Sequence, residues 1–150
     1  TIKVLLVNAA SYTPNINTDD FHDDIPGGAI IATSGALASK TSTDGTADAA
    51  DIVFTAVSGA QVSYVVVYKD TGASATSPLI ALFDTGTGLP VTPNGGDITV
   101  QWDSGANKIF TLFETTRLGT PGMIANLKRW LREMAGECGR PTLVLGPAPA

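Results

Sequence analysis

The chain has 150 residues, enough for one core, and a formal net charge of −5 at neutral pH. Before Phe113 only Lys3, Lys40, Lys69 and Lys108 carry positive charge, scattered rather than patched, which opposes nucleic-acid binding because phosphates need clustered bases. One cysteine, Cys138, excludes an intramolecular disulfide, and no run reaches the roughly 20 apolar residues that span a bilayer.

From the N-terminus to Phe113 the apolar residues come in short β-branched and aromatic runs, separated by Gly, Pro, Asn, Asp and Thr. Eight strands are predicted: Ile2–Asn8, Ala29–Thr33, Leu37–Thr43, Asp51–Val57, Gln61–Lys69, Pro78–Asp84, Asp97–Trp102 and Lys108–Phe113. Ile52/Phe54 and Ile98/Val100/Trp102 alternate with polar or outward positions, as half-buried strands do. Tyr64–Tyr68 is apolar on both faces, which predicts a central strand covered on both sides. Ser58-Gly59, Thr71-Gly72, Asn94-Gly95-Gly96 and Ser104-Gly105 supply turns between the strands. A single helical turn is expected over Thr18–Ile25, capped by Thr18 or Asp19, with Phe21 and Ile25 on one face. The pattern as a whole predicts a mainly β fold, a β-sandwich or jelly-roll-like barrel of about eight short strands.

Composition changes after Phe113. Residues 1–113 contain eleven Asp and four Lys and no Arg, Glu, Met or Cys, whereas residues 114–150 contain five bases and three acids. We therefore expect a β-domain over 1–113 and a C-terminal extension over 114–150. In the extension, Thr120-Pro121 opens an amphipathic helix over about 121–135 and Gly136 closes it. Met123, Ile124, Leu127, Trp130, Leu131 and Met134 form its apolar stripe, opposite Asn126, Lys128, Arg129, Arg132 and Glu133. The stripe needs a partner, its own domain or a neighbouring subunit, with a membrane surface a minor third alternative because the helix is short and lacks a polybasic flank. An extended tail follows over 139–150, loosely ordered at its end, with a strand-like piece at Thr142, Leu143, Val144 and Leu145. That piece is expected to add to a neighbour's sheet edge.

Catalytic signals are sparse. The one histidine, His22, lies within Asp19-Asp-Phe-His-Asp-Asp, and Asp44, Asp48 and Asp51 form a second acidic segment; neither has the order of a calcium loop. Turn formation and solvation are the simpler account of both segments, and a bound divalent cation is left open as the alternative. No phosphate-binding glycine loop or nucleophile elbow occurs, and Gly86-Thr-Gly-Leu-Pro-Val fails the dinucleotide pattern. A pair of facing glycosidase carboxylates is left open, since such pairs form only in space. Tyr64, Tyr68 and Trp102 occupy strand positions and are expected to pack in the core rather than stack on sugars or bases.

Tyr68-Lys-Asp-Thr-Gly-Ala-Ser-Ala-Thr-Ser-Pro-Leu-Ile is more specific. With Lys3-Val-Leu-Leu-Val, Ser11-Tyr-Thr-Pro, Asp19-Asp-Phe-His-Asp-Asp-Ile, Ala36-Leu-Ala-Ser-Lys-Thr, Ala50-Asp-Ile-Val-Phe, Asn94-Gly-Gly-Asp-Ile-Thr-Val-Gln-Trp and Lys108-Ile-Phe, it resembles a family of small β-rich structural proteins of tailed-bacteriophage virions. The likeness covers most of residues 2–113. Such proteins finish near Lys108-Ile-Phe, so the residues from Glu114 onward depart from the pattern. The resemblance implies a non-enzymatic virion component, with capsid decoration or cementing ahead of a tail, neck or fibre position; a host-glycan-binding module is a separate alternative, which would need exposed aromatics or a calcium site on the loops. The resemblance implies no catalytic residue and no cofactor or metal. The partners expected are the major capsid protein or other virion subunits and further copies of the chain, with no nucleic acid and no membrane. The location expected is the virion, assembled in the host cytoplasm.

Overall fold

A computed structural model describes residues 1–112 and 141–149. They form a mainly β structure of three antiparallel sheets, with three short 3-10 turns and, among the described residues, no α-helix. The amphipathic helix expected over 121–135 lies outside the described residues.

The strands in chain order are β1 (Ile2–Val7), β2 (Ile30–Thr33), β3 (Thr41–Thr43), β4 (Thr46–Asp48), β5 (Ile52–Phe54), β6 (Tyr64–Lys69), β7 (Leu79–Phe83), β8 (Ile98–Gln101), β9 (Phe110–Thr111) and β10 (Thr142–Leu145). The first sheet runs β2-β1-β6-β7, the second β10-β8-β5 and the third β3-β4-β9. Each of the eight predicted runs contains a strand, trimmed at its ends, and β10 is the strand-like piece of the tail. The strand absent from the prediction is β4.

Register explains why β1 and β6 are apolar throughout. Val4 lies opposite Val67 and Leu6 opposite Val65, and these four face a core shared with Phe54, Ile98, Val100, Trp102 and Leu143 of the second sheet and its flanks. Leu5 opposite Val66, with Val7 and Tyr68, faces the other way, where the returning chain covers them with Tyr12, Ile25 and Ala29. The central strand is therefore buried on both faces, as its composition requires. Burying a Val or Leu side chain fully contributes roughly 1.5–3 kcal/mol, so this paired strip contributes strongly to stability.

The third sheet owes its extra strand to Asp44-Gly45. Both residues have positive φ, 50° and 79°, which is the backbone of a two-residue hairpin turn matched to strand twist. Gly45 is doubly constrained, because a Cβ there would overlap the carbonyl of Leu112, whose own N–H donates to Gly45 O at 2.8 Å.

One expectation changes. Thr18–Ile25 forms a 3-10 turn at His22–Asp24, started by the Asp24 carboxylate accepting the Asp20 and Phe21 N–H groups. Ile25 is buried while Phe21 is 41% exposed, so the two share no face. The strand-like piece of the tail packs on the body: β10 pairs with β8 of its own chain, Pro141 is fully buried, and Leu143 belongs to the main core. Packing thus runs across the boundary expected at Phe113 and includes residues 141–146. The physical reason is that Leu143 completes an apolar row, Ile52–Val100–Leu143, that the second sheet would otherwise leave open.

Candidate functional site

The best-built recognition feature is a slot that holds residues 141–149. On one side β8 supplies an antiparallel ladder, pairing Thr142 with Gln101, Leu143 with Val100, Val144 with Thr99 and Leu145 with Ile98. On the other side the loop after β7 supplies a parallel bridge, Thr87 to Thr142, and the Leu143 N–H donates to Thr87 O at 2.8 Å. Farther along, Gly146 N–H donates to Asp97 O at 2.6 Å, and the Asn94 side-chain amide donates to Gly146 O at 3.2 Å. The arm thus has main-chain partners on both edges.

Glycines make the slot narrow enough. A Cβ at Gly86 would overlap the Pro141 carbonyl, one at Gly88 the Leu143 carbonyl, and one at Gly96 the Pro147 carbonyl. The spacing of 86 and 88 is that of alternate residues along an extended chain, so the two glycines meet the arm's carbonyls at 141 and 143. Asn94 fixes the far end by accepting the Gly96 N–H at 2.9 Å. The arm from 141 to 149 carries no charge, and the surface that receives it asks for shape and hydrogen bonds rather than charge.

Of the residues expected to form an interface, Thr142, Leu143, Val144 and Leu145 are in this slot. Leu143 points into the core, while Val144 faces outward in a cross-strand row with Thr99 and Val53. Val144 and Val53 are exposed, and Leu145 is 38% exposed at the sheet margin. Within the single chain the strand pairs with its own β8. Met123, Ile124, Leu127, Trp130, Leu131 and Met134 lie outside the described residues.

The acidic segments are occupied with local structure. Asp19 accepts the Tyr12 hydroxyl at 2.7 Å, the Asn15 N–H at 2.8 Å and the Thr18 hydroxyl at 3.1 Å. The Asn15 N–H leads in holding its carboxyl below the usual range, with the Tyr12 and Thr18 hydroxyls adding to it. Burial, then the bond to Asp19, pushes the Tyr12 hydroxyl well above its ordinary value. Asp48 lies 3.5 Å from Lys108, and Asp51 accepts the Trp102 N–H at 3.0 Å. Among the described residues no three His, Cys, Asp or Glu side chains gather as a metal-holding group.

The strand aromatics pack inward. Tyr68 and Trp102 are buried, Tyr64 packs edge-on against Tyr12 at 6.5 Å, and Phe83 lies 6.1 Å from Trp102. His22 sits on the Tyr68 ring at 4.9 Å with Nδ1 buried and unpartnered. An open groove of about 200 Å³ lies beside Tyr12, Pro14, Ile16 and Leu79. No helix among the described residues is long and apolar enough to cross a membrane. Neither a protein-family model nor a curated protein matches the chain.

The slot residues Gly86, Gly88, Asn94 and Gly96 were not singled out from sequence as a site. Their signal in the sequence is the Gly-x-Gly spacing at 86 and 88, which suits close approach of an extended chain as well as of a phosphate.

Proposed function

We propose that this chain is a non-enzymatic structural protein of a tailed-bacteriophage virion, folded as a β-sandwich, that decorates or cements the capsid by binding other virion subunits. The observation that carries this reading is the slot, a site built to take up a stretch of polypeptide. Its contacts are main-chain hydrogen bonds, a buried proline and a buried leucine, which is the chemistry by which chains join by strand addition rather than the chemistry that activates a substrate. The resemblance of residues 2–113 to phage structural proteins supports the same reading. So does an outward row of Val53, Thr99 and Val144, an uncharged strip on an acidic body.

Quantitative mass spectrometry of purified virions tests it. The expected result is the chain present in many copies per particle, bound to the head shell. A ring-like small number instead assigns it to the neck, tail or fibre. Its absence from purified particles would overturn the reading.

A further inference from the structure

We propose that the slot is a strand-exchange site, in which residues 141–149 of a second copy replace the chain's own arm when copies are held side by side. The proposal rests on the virion reading for its crowded setting, and on the slot geometry for its chemistry. Every contact that holds the arm, from Thr87 O to Leu143 N–H and from Asp97 O to Gly146 N–H, is available unchanged to the same residues of another copy. Exchange of an identical element costs little for that reason.

The arm is suited to exchange by where it sits in the chain. Among the described residues it follows nine other strands, and those form the slot without it. Twenty-eight residues, 113–140, separate it from the body. With the helix expected over about 121–135 contributing about 22 Å and the other residues about 43 Å, they reach about 65 Å, against a radius of gyration of about 15 Å for a domain of this size, so the covalent link does not restrict the arm to its own slot. Charge favours bridging as well. The arm is neutral, residues 1–113 hold eleven Asp against four Lys, and residues 114–140 hold five bases against three acids. An exchanged arm draws this net basic stretch between two acidic bodies that would otherwise repel.

Effective concentration sets when exchange occurs. A tethered arm meets its own slot at roughly millimolar effective concentration, so dilute chains close on themselves. Copies packed on a shell face one another at comparable local concentration. Own-chain and exchanged arms are then in balance, and the bridging charge decides.

The test uses the full chain with Thr99→Cys and Val144→Cys, which lie opposite each other in the β8–β10 ladder, and Cys138→Ser to remove the native thiol. Mild oxidation followed by non-reducing electrophoresis reads the pairing. Covalent dimers and longer ladders that increase with protein concentration, and predominate in particles, are the expected result. Intramolecular disulfides alone at every concentration and in particles overturn the proposal. A second measurement mixes Gly88→Val, whose slot is blocked, with Leu143→Asp, whose arm is disabled. Native mass spectrometry should show a heterodimer in which the intact arm of the first fills the intact slot of the second, and its absence counts against exchange. Intramolecular links in particle-bound chain defeat exchange alone. Ladders in solution from a chain absent from virions defeat the virion reading alone.

Discussion

Gly88 and Gly72 separate two uses of the same residue. Both have positive φ, 83° and 96°, but a Cβ at Gly88 meets the Leu143 carbonyl, whereas one at Gly72 meets nothing within 4 Å. Gly72→Ala should therefore cost only the left-handed strain of a Cβ, about 1–2 kcal/mol. Gly88→Ala adds displacement of the arm and should lower stability by about 3 kcal/mol or more, approaching the cost of emptying the Leu143 site, since Leu→Ala in a core costs roughly 2–5 kcal/mol. Urea midpoints of the two variants check this; equal shifts would mean that the arm yields without loss. Titration acts at the same scale. The Lys3 ammonium, 2.6 Å away, leads in holding the Asp70 carboxyl below 3.8, followed by the Gly72 N–H, and Asp19 is likewise depressed. A depressed carboxyl contributes stability above its unfolded value and loses it as pH falls through the folded value. Stability should thus decline below about pH 4, and Asp19→Asn should flatten that acid branch. Unfolding midpoints at pH 7 and pH 3 for both chains show whether it does.

At the scale of elements, β10 decides whether the tail is an accessory. Removing residues 141–150 strips Pro141 and Leu143 from the core and leaves the outer edge of β8 unpaired. The chain ending at Arg140 should unfold at clearly lower urea than the full chain, and a synthetic peptide of residues 141–149 should restore part of the loss in trans. A truncate as stable as the full chain would remove β10 from the fold. Individual strands were legible because burial leaves an alternating trace: Ile98, Val100 and Trp102 face the core, and Val53 does not. The hairpin strand β4 left no such trace, since Thr46, Ala47 and Asp48 are only half-buried. Its signal is Asp44-Gly45, a strong hairpin dipeptide that sits inside an acidic segment. The expected turn glycines at 59, 72 and 95 have positive φ, while near Ser104-Gly105 it is Lys108 that takes it.

Across the whole molecule, charge sets solution behaviour. With fourteen acidic residues against nine basic ones, like-charge repulsion opposes compaction at low ionic strength. Raising salt from about 0.01 M to 0.15 M shortens the Debye length from roughly 30 to 8 Å and should raise Tm. A fall in Tm would instead mean that attraction between the basic stretch at 114–140 and the acidic body outweighs the repulsion. Composition, turn chemistry and two-residue periodicity by themselves determined that residues 1–113 are built of short strands, that Tyr64–Tyr68 is a central strand, and that Thr142–Leu145 is extended. These are local properties, written in consecutive side chains. Which sheet each strand joins, why Gly86 and Gly88 are needed, and where the arm lies were decided only by the tertiary structure. The contacts involved join residues more than forty positions apart, Thr142 with Gln101 and Gly88 with Leu143, and a carbonyl approaching a glycine leaves no mark on the sequence around it.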